Sequence, residues 1–139
     1  MADVLSKEQR KRCMSHIRGK DTKPEVLVRK FLFANGFRYR LYRKDLPGKP
    51  DIVLPKYKTV VFINGCFWHG HAGCKYATIP VANHDFWLAK ISGNIERDKS
   101  NHAKLFELGW KVIEIWQCEL KPKFRDQTLT NLLTELRND

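Results

Sequence analysis

Hydrophobic and polar positions change period several times along the chain, and each change predicts an element. After Thr22-Lys-Pro-Glu25, residues Val28, Phe31 and Leu32 fall at helical spacing, and Asn35-Gly36 ends the run. Thr22 and Glu25 have the form of a capping box, with Pro24 in the first turn, where its missing N–H does no harm. Phe37-Arg-Tyr-Arg-Leu-Tyr42 then alternates apolar with basic, which predicts a half-buried strand carrying two arginines on one face. Leu46-Pro47-Gly48-Lys49-Pro50 interrupts regular structure. Asp51-Ile-Val-Leu54 and Thr59-Val-Val-Phe-Ile63 read as buried strands joined by a turn through Pro55-Lys56-Tyr57. A helix is predicted from the Asn83–Trp87 region to about Leu108, stopped by Gly109. Trp110 to Trp116 reads as another buried strand, and Leu129 to Leu136 as a short amphipathic helix. At the start, Ser6-Lys-Glu-Gln9 opens a short basic helix to about Arg18, with Met14 and Ile17 sharing a face.

Helix, strands, helix and strand predict an α/β or α+β sandwich around a mixed sheet. Its 139 residues suit one domain, 1–139, in which 1–20 form an N-terminal arm. No internal repeat, low-complexity tract or linker divides it. By itself the pattern does not single out a nuclease fold.

Charge narrows the partners. Against 15 Asp+Glu stand 26 Lys+Arg, a formal +11. That excess favours polyanions, nucleic acid above all, with an anionic membrane surface as competitor. No basic segment carries the wide apolar face of an interfacial helix, and no run is long enough to span a bilayer. The first residues lack an apolar signal region, so an intracellular, cytoplasmic protein is expected. Four cysteines in such a chain read as metal ligands or thiols.

Those cysteines concentrate the chemistry. Asn64-Gly-Cys-Phe-Trp-His-Gly-His-Ala-Gly-Cys74 packs thiols, imidazoles, glycines and two aromatics into one loop. The spacing C-x4-H-x2-C lets Cys66, His71 and Cys74 share one zinc ion, and Cys118, just past the last strand, supplies a fourth ligand. A closed site of that kind is structural and leaves His69 free. Closing the loop would push Phe67, Trp68 and His69 outward towards a ligand; the bland alternative is a buried aromatic pair beside reduced cysteines.

Acidic positions admit two readings each. Asp51 follows a proline at the mouth of an apolar strand, where it either caps the turn or is held for Mg²⁺. Glu25 is a reciprocal helix cap first and a catalytic acid second. Lys90, Asn94 and Arg97 or Asp98 lie on one helical stripe. This is either a solvated face or, beside exposed Phe-Trp, a DNA face. Met14 and Ile17 either dock the first helix on the body or wedge into DNA.

Several of these motifs resemble, in order and spacing, the very-short-patch-repair (Vsr) DNA mismatch endonucleases. They are Arg-Lys-Arg-x-Met14-Ser-x-Ile17 through Pro-Glu25, Gly-Lys-Pro-Asp51-Ile-Val, Val-Phe-Ile-Asn-Gly-Cys-Phe-Trp-His-Gly-His-Ala-Gly-Cys74, Phe86-Trp87 with Lys90, Asn94, Arg97 and Asp98, and Trp116-Gln-Cys118. The resemblance implies a restriction-endonuclease-like α/β fold, a mixed sheet flanked by helices with a structural zinc site. It implies a Mg²⁺-dependent nick beside the thymine of a T·G mismatch left by 5-methylcytosine deamination. Zinc would lie on Cys66, His71, Cys74 and Cys118. Asp51 would be the metal-binding acid, with the Ile63 carbonyl as a further Mg²⁺ contact. His69 would be the catalytic base, Asp98 its supporting acid, and Glu25 a further acid of the site. Phe67, Trp68 and Trp87 match intercalating aromatics, with Met14 and Ile17 entering from the other groove. Lys90 and Asn94 match positions that read the mismatched pair, with Arg97 beside them. The partners implied are mismatched double-stranded DNA and mismatch-repair accessory proteins, the protein itself a monomer.

The chain departs from the pattern at one place. A well-known branch of the family has Thr-His where this chain has Ile63-Asn64. A backbone carbonyl at Ile63 preserves a metal contact. Asn64 cannot transfer a proton as histidine does, although its amide can hydrogen-bond a phosphate or a water. Two readings therefore stand beside the nicking enzyme: a zinc-stabilised mismatch-binding module without catalysis, and a restriction-type nuclease cutting matched DNA.

Overall fold

The computed structural model describes residues 22–41 and 43–137. The expected basic helix with Met14 and Ile17 lies outside the described residues. Helix α1 (Lys23–Ala34) starts where the capping pattern placed it. The Thr22 N–H donates to Glu25 Oε2 at 2.9 Å, and Glu25, Val28, Arg29 and Leu32 form its buried stripe. At Gly36 φ reaches 87°, which turns the chain so that the Phe37 N–H returns to the Leu32 carbonyl at 2.9 Å.

The alternating segment that follows is not the strand its pattern predicts. Phe37 is buried and Arg38 and Arg40 are exposed, as alternation requires. Among the described residues, however, the segment forms only one antiparallel bridge, Arg40 to Val53. Its partner β1 (Ile52–Leu54) is three residues long. Pro50 and Pro55 flank it, and proline has no N–H to extend a ladder. Asp51 is accordingly not a strand residue. It stands in the bend leading into β1.

A 3-10 turn over Pro55–Tyr57 leads to β2 (Thr59–Asn64), antiparallel to β1, with Ile52 facing Val61 and Leu54 facing Thr59. A long crossover carries helix α2 (His84–Glu107) and returns as β3 (Lys111–Trp116), parallel to β2 with Thr59 beside Lys111 and Asn64 beside Trp116. The sheet order is β1-β2-β3. Helix α3 (Pro122–Arg137) closes the described chain. It begins seven residues before the amphipathic stretch expected from Leu129. Only Leu129, Leu132 and Leu136 are buried in it, so its first turns carry no apolar stripe to announce them.

Strand alternation sorts the core into two layers. Ile52, Leu54, Val61, Ile63, Ile113 and Ile115 pack with Val28 and Leu32 of α1 and the three α3 leucines. On the other face Val53, Val60 and Phe62 meet Leu105 of α2 and Trp110. The result is a mixed α/β fold with the sheet between helices. Among the described residues no helix is long and apolar enough to cross a membrane.

Candidate active site and metal centre

Ligand sites in open α/β sheets gather outside the carboxyl ends of parallel strands, and here β2 and β3 end together at Asn64 and Trp116. A cavity of about 1000 Å³ opens at that edge. Its wall includes Glu25, Asp51, Asn64, Trp68, His69 and Asp98, with Lys90, Asn94 and Arg97 on the α2 side. Residues spread over more than seventy positions of sequence therefore face one space.

Asp51 is pinned at one wall. Its Oδ2 accepts the Ile63 N–H at 2.6 Å. Burial first, then the hydrogen-bonded Glu25, pushes this carboxyl up to about 8, although Arg29 and the Ile63 N–H pull the other way. Glu25 is itself buried, and its Oε2 sits 3.5 Å from Arg29 Nη2. A buried carboxyl and a half-buried one in contact are poorly suited to sharing negative charge, and a divalent cation relieves that conflict. The oxygen-rich donor set fits a hard cation such as Mg²⁺. Glu25 thus serves both readings: it caps α1 and stands at the site.

On the opposite wall, His69 Nδ1 lies 2.7 Å from Asp98 Oδ2. A carboxylate at Nδ1 fixes the tautomer with the proton there, leaving Nε2 as the acceptor. The loop holding His69 is a stack of tight turns: His69 N–H to the Gly65 carbonyl, Gly70 to Phe67, and His71 to Cys66. Gly70 is required at its position. Its φ is 61°, and a Cβ there would lie 2.6 Å from Ile95 Cδ1 and 2.9 Å from Ile91 Cγ2. Glycine is what lets the loop settle on α2.

Beyond that turn, ligand atoms of Cys66, His71, Cys74 and Cys118 all lie within 4.8 Å of one another. Tetrahedral zinc with bonds of about 2.3 Å to sulfur needs sulfurs about 3.8 Å apart, so the set can hold one such ion. Burial, then the thiols of Cys66 and Cys74, pushes the Cys118 thiol up to about 12. Cys74 is drawn below the ordinary thiol value: desolvation opposes this, and the Tyr76 N–H, the Cys66 and Cys118 thiols and the Ala77 N–H outweigh it. Sulfurs this close cannot all ionise without a cation between them. His71 is stacked flat on Trp116 at 4.1 Å, which fixes the imidazole plane.

The aromatics form one cluster. Phe67, Trp68 and Trp87 meet edge to face at 5.2–5.8 Å. Trp68 remains 38% exposed at the cavity rim, and Phe86, at 62%, extends the cluster beyond the three aromatics expected from sequence. Asn94 Nδ2 donates to the Trp68 carbonyl at 2.9 Å, and Arg97 Nη1 donates to Asn94 Oδ1 at 3.3 Å. Asn94 therefore braces the aromatic loop as well as lining the cavity. Asn64 is 3% exposed, and its Nδ2 donates to Glu114 Oε2 at 2.9 Å.

Gln117 and Lys23, which the sequence did not single out, also line the cavity, as does Lys49, two residues before Asp51. Gln117 lay in plain view between Trp116 and Cys118. Glu114 carried the same signal that drew attention to Asp51, an acid among apolar strand residues.

With that geometry in place, the comparisons are decisive. Residues 2–75 match the family model described as DNA mismatch endonuclease Vsr. Over 139 residues the chain is 53% identical to the type II nicking enzyme V.NmeAIP of Neisseria meningitidis, covering 99% of both chains. This chain belongs to the Vsr family. It is also 40% identical over 137 residues to the DNA mismatch endonuclease Vsr of Escherichia coli K12, covering 97% of this chain and 87% of that one. The type II nicking enzyme V.XorIIP of Xanthomonas oryzae is 49% identical over 120 residues, 86% of this chain and 88% of its own. The Vsr family model ends at residue 75, yet Lys90, Asn94, Arg97 and Asp98 of α2 and Gln117 just past β3 also line the cavity. It is the full-length Vsr relatives that carry the likeness across those elements.

Proposed function

We propose that the chain is a single restriction-endonuclease-like nuclease domain that nicks one strand of duplex DNA beside the thymine of a T·G mismatch. One observation carries this reading: the Asp51–Glu25 carboxyl pair and the Asp98-backed His69 face the same cavity, with exposed Trp68 at its rim. Names of the relatives, mismatch endonuclease and nicking enzymes, point the same way.

Asp51, with the Ile63 carbonyl beside it, would hold Mg²⁺, and Glu25 would order its water shell. When bound, the ion supplies charge stabilisation at the scissile phosphate. His69 takes the proton of the attacking water at Nε2, while Asp98 holds the ring and offsets the charge it gains. Phe67, Trp68 and Trp87 insert beside the mismatch, and a weakly paired step unstacks at lower cost than a matched one. Lys90, Asn94 and Arg97 line the approach, with Met14 and Ile17 meeting the other groove. The four-residue Cys/His cluster would hold zinc and so fix the loop. Basic side chains supply salt-sensitive, sequence-independent affinity.

The test uses end-labelled duplexes, T·G against C·G across randomised flanks, with Mg²⁺ and Asp51→Ala as control. A T·G-dependent nick on the thymine strand alone, lost in the variant, is expected. Tight mismatch binding without any nick would make the protein a sensor. Cuts in both strands of matched DNA would make it a restriction-type nuclease.

A further inference from the structure

Asn64 stands where a branch of the family has histidine, and its surroundings say what it does instead. Its side chain ends β2 at the cavity, buried, with Nδ2 given to Glu114 Oε2. A carboxylate only accepts, so this contact fixes which end of the amide is nitrogen. The group left for the cavity is Oδ1, an acceptor that carries no proton.

Glu114 is held in turn. Its other oxygen, Oε1, lies 3.7 Å from His102 Nδ1, and the His102 ring rests on Phe62 at 4.8 Å between centroids. Phe62 is the register partner of Glu114 across the parallel pair, which places Glu114 on the sheet face that looks at α2. On α2, His102 follows Asp98 by one turn. The two cavity residues are therefore built alike: Asp98 stands behind His69 at 2.7 Å, and Glu114 stands behind Asn64 at 2.9 Å.

We propose that Glu114, held by His102, is a positioning residue that locks the Asn64 amide with Oδ1 facing the attacking water. This rests on the endonuclease reading above. His69 remains the only one of the pair to receive a proton, and Asn64 orients the water that gives it. An alternative role, a plain ion pair between Glu114 and His102 supporting α2, would act on stability and leave Asn64 indifferent.

Single-turnover nicking of a T·G duplex by the full chain separates the two. Glu114→Ala should lower the rate constant by about 10- to 100-fold, the range expected when a reacting group loses its alignment, with duplex affinity unchanged. Glu114→Gln, which keeps an acceptor for Asn64, should recover most of it. In an Asn64→Ala background, Glu114→Ala should add nothing. An equal loss in both backgrounds overturns the proposal. A second readout needs no activity: exchange of the Asn64 side-chain amide protons, followed by NMR, should be slow in the parent and fast in Glu114→Ala. Unchanged exchange also overturns it. If the parent nicks no duplex at all, the endonuclease reading fails, and amide exchange still decides the Asn64–Glu114 link.

Discussion

Asp51 shows how a side chain placed for the proposed chemistry weighs on fold stability. Burial and Glu25 raise its carboxyl from the ordinary 3.8 to about 8. In metal-free protein the unfolded chain therefore loses this proton first as pH rises. The stability contributed by the neutral form is complete below about pH 4 and is lost as pH climbs through about 8. Asp51→Asn keeps an acceptor for the Ile63 N–H and removes the ionisation. In chelator at pH 8 the variant should melt several degrees above the parent, and the gap should shrink towards pH 5; a constant gap would show that titration is not the cause. The same variant should lose Mg²⁺-dependent nicking. At this scale the sequence was most readable where chemistry is rare. Cysteine and histidine spacing picked out the four-residue cluster, because few sequences place such groups by chance. Glu114 and Gln117 stood in view in the sequence, but polar residues of ordinary type acquire a role only from what the fold sets beside them.

At the scale of elements, the loop from Gly65 to Cys74 and helix α2 act as one piece. Gly70→Ala combines a backbone at φ 61° with a Cβ forced against Ile95 and Ile91. A left-handed non-glycine residue alone is unfavourable by about 1–2 kcal/mol, and the clash adds to it. The variant should melt earlier and lose nicking more than duplex affinity, as seen by calorimetry beside a gel assay. Trp68→Ala leaves that docking intact and removes the exposed ring at the cavity rim, part of the proposed wedge. The ratio of T·G to C·G affinity should fall by about 2- to 10-fold, in keeping with the 0.5–1.5 kcal/mol usual for an aromatic pair; an unchanged ratio would eliminate Trp68 as a wedge. Helix α1 and strands β2 and β3 were legible because their periods and caps agree. The segment 37–41 misled because alternation reports one-sided burial, which a coil over a three-residue strand also gives. The front of α3 was invisible for the opposite reason, a helix started by proline with no buried face there.

For the whole molecule, the organising fact is that β2 and β3 pair in parallel across a long crossover, so the cavity exists only when distant segments meet. Cys66 and Cys118, 52 positions apart, come within sulfur–amide reach: the Cys118 N–H donates to Cys66 Sγ at 3.4 Å. Chelation of the Cys/His cluster should therefore lower the melting temperature and slow refolding, and added zinc should restore both. Restoration by magnesium alone would contradict a thiolate site. Fold class was legible from the order of elements, whereas this meeting was not, because a linear pattern carries no pairing order.

A shared cation turns those two cysteines into the ends of a ring. Every α2 side chain proposed to meet the duplex, from Trp87 through Lys90, Asn94 and Arg97, lies inside that ring, and none of the α1 or α3 core does. On that division the clasp is expected to open while the α1 and α3 core stays packed. Partial chelation should yield a protein that is still folded around its leucines yet no longer distinguishes one duplex from another. The molecule would then lose its discernment before its shape.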